Sequence, residues 1–297
     1  MGRILVTGLS GFLGRHIALR LRGRHCVVGT YREHALTLDG CITRPLDIAD
    51  GDEMAALCRE FQPDVIVHTI ALSDVDRCER EPDVADRVNV QGTAQVAHAA
   101  AEVNARLIYI STDQVYDGAN GDYNETDTPR PLMVYGRTKL EGERRATAIC
   151  GDVVILRLAL IYGWGSPTRT TFVDWMVARL RAGRELPLFI DQYRTPLYVV
   201  QGAEVIGRLI EAPETRGVFN LGGGERLDRY AFGIKVCEVF DLPKKYLKPV
   251  EMETTGSIAA RPRDCSLNSA KISSLLRCRP LTVEEGLQAM KRQQGRG

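Results

Sequence analysis

Short apolar runs alternate along the chain with longer stretches in which apolar residues recur every three or four positions. "RILVT" (Arg3–Thr7) reads as a buried strand. "GRHIALRLRGR" carries Ile17, Leu19 and Leu21 and reads as a helix stopped by Gly23. "CVVGTY" is a second strand, and a third precedes "LDIAD". The helix "DEMAALCREF", the strand "DVIVHTIA" and the long helix "DVADRVNVQGTAQVAHAAAEVN" follow. Then come the strand "RLIYIST", the helix "LMVYGRTKLEGERRATAI" and a sixth strand, "DVVILRLALIYG". Strands that are apolar throughout, instead of alternating, are buried on both faces. Their alternation with helices predicts a doubly wound (Rossmann) parallel sheet of the α/β class.

Past Gly163 the texture changes. "TFVDWMVARLRAG" is an amphipathic helix, "LPLFI" a strand, and "YVVQGAEVIGRLIEA" a strand running into a helix. "GVFNLGGG" is a further strand with a glycine turn. Asp228 is placed to cap the helix "RYAFGIKVCEVFDL", and Thr282 and Glu285 have capping-box spacing before the last helix. We assign residues 1–163 to the Rossmann domain and 164–297 to a smaller α/β lobe. Segments near 192–221 are expected to return to the Rossmann sheet. The tail "QQGRG" is expected to be loose.

Composition narrows the function classes. The chain has 297 residues, 44% apolar and 26% charged, with a net charge of +1, which is ordinary for a globular protein. No clustered basic face argues for nucleic acid. The apolar runs fall far short of the ~18 residues of a membrane span. "MGRILVTG" enters a strand at once and leaves no room for a signal peptide, so a cytoplasmic protein is expected. The eight cysteines are scattered, without a C-x-x-C pair, and read as reduced thiols. The five histidines show no metal-ligand spacing, and no metal site is expected.

Two constellations carry chemistry. In "VTGLSGFLGRHIA", Gly8, Gly11 and Gly14 stand between a strand and a helix. A tight turn there exposes backbone N–H groups and lets a pyrophosphate approach the helix N-terminus. The second strand ends at "GTYREH", where an NAD site usually offers a carboxylate and this chain offers Arg32. A guanidinium suits the 2′-phosphate of NADP, so NADP(H) is expected, with NAD(H) second. Asp47, after the third strand, is placed near an adenine edge or as a loop cap. The second constellation is "VYGRTKLEG", with Tyr135 and Lys139 four apart on one helix face. A nearby ammonium is expected to lower the phenol pKa. Thr112, at the carboxyl end of the fifth strand, reaches the same space.

These motifs, with "LDIAD", "NVQGT", "IST" and "RPRD", make the chain similar to the extended short-chain dehydrogenase/reductases along its whole length. Within them it most resembles the dTDP-4-dehydrorhamnose reductases, through "VDRCEREP", "STDQVYDGANGDYNETDTPRPLMVYGRTKLEGE", "DQYRTP" and "RPRDCSLNSAK". The resemblance implies Tyr135 as general acid, Lys139 on the nicotinamide ribose and Thr112 on the substrate oxygen. It implies hydride transfer from NADPH to C4 of a 4-keto-6-deoxy sugar nucleotide. It places Ser10, Phe12, Leu13, Ile48, Ala71 and Ser73 with the cofactor. Val75, Asp76 and Arg261 fall near the sugar nucleotide. Asp113 is a substrate contact or loop support, and Asp76 and Glu79 read equally as a solvated helix start. Arg261 could pair with a diphosphate or with Asp264. Asn89 would brace the active-site loops. The resemblance also implies a homodimer through helices near 83–102 and 133–149. Their small residues Ala97, Ala100, Ala101, Gly142 and Ala146 suit packing between subunits or on their own sheet.

Three positions depart from those reductases: Leu160 replaces an aromatic platform, Arg194 a small residue, and Ser266 an arginine. Two other readings compete. The regulatory subunit of methionine adenosyltransferase resembles the same stretches and binds NADP without catalysis; the Thr112, Tyr135 and Lys139 set argues for an enzyme. A sugar-nucleotide dehydratase or epimerase shares the scaffold. A dehydratase needs a carboxylate at position 114, and the neutral amide of Gln114 cannot accept a proton.

Overall fold

In the computed structural model, which describes residues 1–166, 169–256 and 258–294, the apolar runs pair into one seven-stranded sheet. The first half of the chain supplies β1 (Arg3–Thr7), β2 (Cys26–Tyr31), β3 (Cys41–Pro45), β4 (Val65–His68), β5 (Arg106–Thr112) and β6 (Val153–Leu158). Between them run α1 (Phe12–Leu21), α2 (Gly51–Phe61), α3 (Val75–Arg80), α4 (Pro82–Asp86), α5 (Gly92–Glu102) and α6 (Val134–Ile149). The second half holds β7 (Ile161–Tyr162), α7 (Phe172–Arg181), β8 (Leu186–Phe189), β9 (Tyr193–Arg194), β10 (Leu197–Tyr198), α8 (Val199–Ile210) and β11 (Gly217–Leu221). After it come β12 (Leu227–Asp228), α9 (Arg229–Phe240), β13 (Leu247–Val250), α10 (Ala270–Leu276) and α11 (Val283–Gln294). The sheet order is β11-β6-β5-β4-β1-β2-β3, and every pairing is parallel. This is the doubly wound α/β architecture the pattern predicts.

Every residue of β5 and β6 is buried. Alternate side chains feed two separate cores, as a pleated strand covered on both faces requires. Ile4, Val6, Ile108 and Val154 join α1, α7 and α8 on one face. Leu5, Ile66, Leu107 and Tyr109 join α2, α5 and α6 on the other. Fully burying one such aliphatic side chain stabilises the fold by about 1.5–3 kcal/mol.

The run "DVVILRLALIYG" is not one strand. Pairing in the main sheet ends at Leu158, and Ile161–Tyr162 pairs with Leu197–Tyr198 in a separate ribbon. The long helix is also interrupted. Between α4 and α5 lies a single π turn, Arg87–Gln91, which inserts an extra residue and turns Asn89 inward, fully buried. The small residues of α5 and α6 serve the chain itself. Ala97, Ala100 and Ala146 are completely buried against the sheet. A β-carbon on Gly142 would lie 2.4 Å from the Tyr109 hydroxyl and 2.7 Å from the Asn89 carbonyl. Ala101 alone of the five is exposed.

Asp228 caps α9 by accepting from Ala231 N at 2.7 Å. Thr282 and Glu285 exchange the two bonds of a capping box before α11. Of the tail, Gln293 and Gln294 complete α11, and residues 295–297 lie outside the described residues. All eight cysteines are free thiols. No helix among the described residues is long and apolar enough to cross a membrane.

Candidate active site

The carboxyl ends of β1, β2, β4 and β5 and the first turns of α6 enclose a cleft of about 680 Å³. At its floor the chain turns from β1 into α1. Gly8 has φ +75°, and a β-carbon there would meet Ile70 Cγ1 at 2.8 Å. A β-carbon on Gly14 would lie 2.2 Å from the Gly8 carbonyl oxygen. The turn is therefore bare backbone pressed against the following helix. No side chain caps the N-terminus of α1 at Gly11. Its first N–H groups and the positive end of its dipole are left for an anion. A dinucleotide pyrophosphate fits this cradle.

Gly8, Ser10, Gly11, Phe12, Leu13 and Gly14 all line the cleft, as do Ile48, Ala71 and Ser73. Arg32 stands at the rim, more than half exposed, paired with Glu33. Asp47 does not line this cleft. Its carboxylate accepts from Ala49 N at 3.0 Å, and it borders an open recess between α2 and α5.

Thr112, Asp113, Gln114, Tyr135 and Lys139 meet on the opposite wall. Thr112 Oγ1 donates to Asp113 Oδ1 at 3.0 Å and accepts from Gln114 N at 3.2 Å. Gly136 lets α6 start here, since a β-carbon would lie 2.2 Å from the Gln114 carbonyl. Glu79 accepts from Val134 N at 2.8 Å and caps the uncapped end of α6. Asn89 accepts from Leu72 N at 2.8 Å and donates to Thr138 Oγ1 at 3.0 Å. It thus ties the loop after β4 to the turn between Tyr135 and Lys139.

The electrostatics correct one expectation. The Tyr135 phenol is raised, not lowered: burial dominates, a contact with Thr112 opposes it, and the charge of Asp113 adds to it. Lys139 is itself almost sealed from solvent. Its Nζ donates to the Ile110 carbonyl at 2.7 Å and lies 4.1 Å from the centroid of the Tyr109 ring. Burial pushes it down to about 7, opposed by Glu143. Asp113 is raised by burial, with Arg194 the leading opposing charge.

Val75 packs with Tyr135 and Cys78 behind the wall. Asp76 is no solvated helix start: it takes Arg261 Nη2 at 2.7 Å and Ala259 N at 3.1 Å. Arg261 therefore bridges to Asp76 and not to Asp264, whose carboxylate takes Arg226 at 2.7 Å. Among the departures, Leu160 lines the cleft and Ser266 Oγ accepts from Asp122 N at 2.7 Å. Arg194 is buried against Asp113 at 3.3 Å and donates to the carbonyls of Tyr193 and Pro262. Sequence reasoning missed that pair. It also missed the buried set of Ser111, Glu143 and Arg157. The spacing of Tyr135, Lys139 and Glu143, each four apart, was the available signal for Glu143.

The model of the RmlD substrate binding domain matches residues 2–295. The chain is 34% identical over 290 residues to the probable low-salt glycan biosynthesis reductase Agl14 of Haloferax volcanii, covering 96% of both chains. It is 32% identical over 281 residues to methionine adenosyltransferase 2 subunit beta of Pongo abelii, covering 92% of this chain and 82% of that one. Among solved structures it is similar to dTDP-4-dehydrorhamnose reductase from Bacillus anthracis in complex with NADP. There the TM-score is 0.86 at 26% identity, covering 98% of this chain and 99% of the other.

Proposed function

Because the chain belongs to the RmlD substrate binding domain family, we propose that it is an NADPH-dependent reductase of a 4-keto-6-deoxy sugar nucleotide, dTDP-4-dehydrorhamnose being the first candidate. The observation that carries this reading is the convergence of Thr112, Tyr135 and Lys139 on the cleft that also holds the glycine turn. Gly8 to Gly14 would hold the pyrophosphate and Arg32 the 2′-phosphate. Lys139 would hold the nicotinamide ribose. Bound NADPH supplies the hydride.

The chain's own residues do the rest. Thr112 fixes the substrate oxygen at the carboxyl end of β5. Tyr135 protonates that oxygen as it gains negative charge. Burial holds the phenol protonated at neutral pH, so Tyr135 carries the proton this step needs. Arg261 and Asp76, which pair with each other outside the residues that line the cleft, are the residues we assign to the nucleotide side of the substrate. Gln114, lining the same wall, supplies no carboxylate for a dehydratase.

The test is a panel of keto-sugar nucleotides followed by NADPH oxidation. Reduction of a 4-keto-6-deoxy sugar supports the reading. The 32% identity to the methionine adenosyltransferase subunit supports a second reading, a non-catalytic NADP-binding regulator. NADPH binding without turnover across the panel would favour it.

A further inference from the structure

Tyr135, Lys139 and Glu143 occupy successive turns of α6, and the first two face the cleft. Glu143 lies behind them, 5% exposed. Arg157 on β6 grips its carboxylate twice, Nε at 2.9 Å and Nη2 at 2.6 Å. Ser111 on β5 donates to the same carboxylate at 2.5 Å. Arg157 also donates to the Tyr116 hydroxyl at 2.9 Å, and Tyr116 contacts Asn220 of β11. One ion pair thus joins a helix to three strands.

A buried ion pair contributes little net stability, because desolvation offsets most of its attraction. Its position supplies another use. The groups that act on the Lys139 ammonium are the Tyr109 ring and Ile110 carbonyl from β5, His68 from β4 and Glu143 from α6, with Arg157 behind Glu143. His68 is held neutral by burial. Among the described residues, Glu143 is the anion acting on Lys139.

We propose that Glu143 is a positioning residue for the active site: fixed by Arg157 and Ser111, it keeps Lys139 charged and donating where the cofactor ribose would lie. The ribose contact rests on the reductase reading. The charge on Lys139 is a property of this chain alone.

That separation sets the experiment. Lys139 is the only lysine in the first 234 residues, so its side-chain nitrogen can be assigned by NMR through Lys139→Met and titrated without cofactor. In Glu143→Gln its midpoint falls by about one pH unit, and NADPH affinity is lost at correspondingly lower pH. An unchanged midpoint would overturn the proposal and leave the pair as a strut. If Arg157 without its partner unfolds that variant, Glu143→Gln with Arg157→Met removes both charges. The lowered midpoint then persists, whereas a wild-type midpoint overturns the proposal. Failure of the wild type to bind NADPH would sink the reductase reading, and the midpoint would still decide the role of Glu143.

Discussion

The guanidinium of Arg194 lies 3.3 Å from the carboxylate of Asp113, and both side chains are sealed from solvent to within a few per cent. Removing Arg194 takes away the leading cation beside buried Asp113 and leaves Arg229 acting on it more weakly. Arg194→Ala should destabilise the chain by about 3–5 kcal/mol, and adding Asp113→Asn should recover much of it. Urea denaturation of the two variants measures this. Equal losses in both would show that Arg194 acts through the Pro262 carbonyl instead.

Tyr135→Phe removes the proposed proton donor and little else, because the ring stays in its apolar setting beside Val75 and Cys78. Turnover should fall by roughly 10²–10⁴-fold, with NADPH affinity nearly unchanged. Steady-state rates and a fluorescence titration check the two halves separately. Full turnover would remove Tyr135 from the chemistry.

Arg32 stands at the rim with its guanidinium mostly in solvent. Arg32→Ala should narrow the preference for NADPH over NADH while sparing NADH. The ratio of kcat/KM for the two cofactors reads this directly. An unaltered ratio would assign the 2′-phosphate elsewhere.

His68 is completely buried between Thr7 and Thr93, and burial pushes it down to about 3. The folded state then binds fewer protons than the unfolded chain below about pH 6.5. The stabilisation is present above that pH and is lost as the pH falls, at about 1.4 kcal/mol per unit. Denaturation curves should be nearly flat above about pH 7.5 and approach this slope only below about pH 5.5, and His68→Gln should flatten it. His16, pushed down to about 4 by burial, adds a change of the same sign to both proteins. Parallel slopes would contradict the assignment to His68.

Local pattern made most of the sheet legible. Unbroken apolar runs marked β1, β2 and β5, and the glycine spacing marked the turn into α1. The capping pair at Thr282 and Glu285 needed three residues of context. What remained hidden depends on partners far along the chain. The break after Leu158 is set by pairing with residues near 197 and 221, which periodicity cannot report. The π turn at Asn89 leaves the apolar period nearly intact. Asp113 and Arg194 are neighbours only once the second half has folded over the first. The same holds for Arg261, which crosses to Asp76. The phenol of Tyr135 was misjudged because helix spacing places Lys139 nearby without showing that its proton goes to Ile110 or how deeply both are buried.

The seventh strand also has a meaning for synthesis. β11 begins at Gly217 yet lies along β6 from Val154 to Leu158. On the ribosome, the nascent first half therefore exists for a time with the edge of β6 bare and apolar, a template for any wrong strand. Translation speed and chaperone capture between those two points should govern the yield of native protein more than any stretch before them.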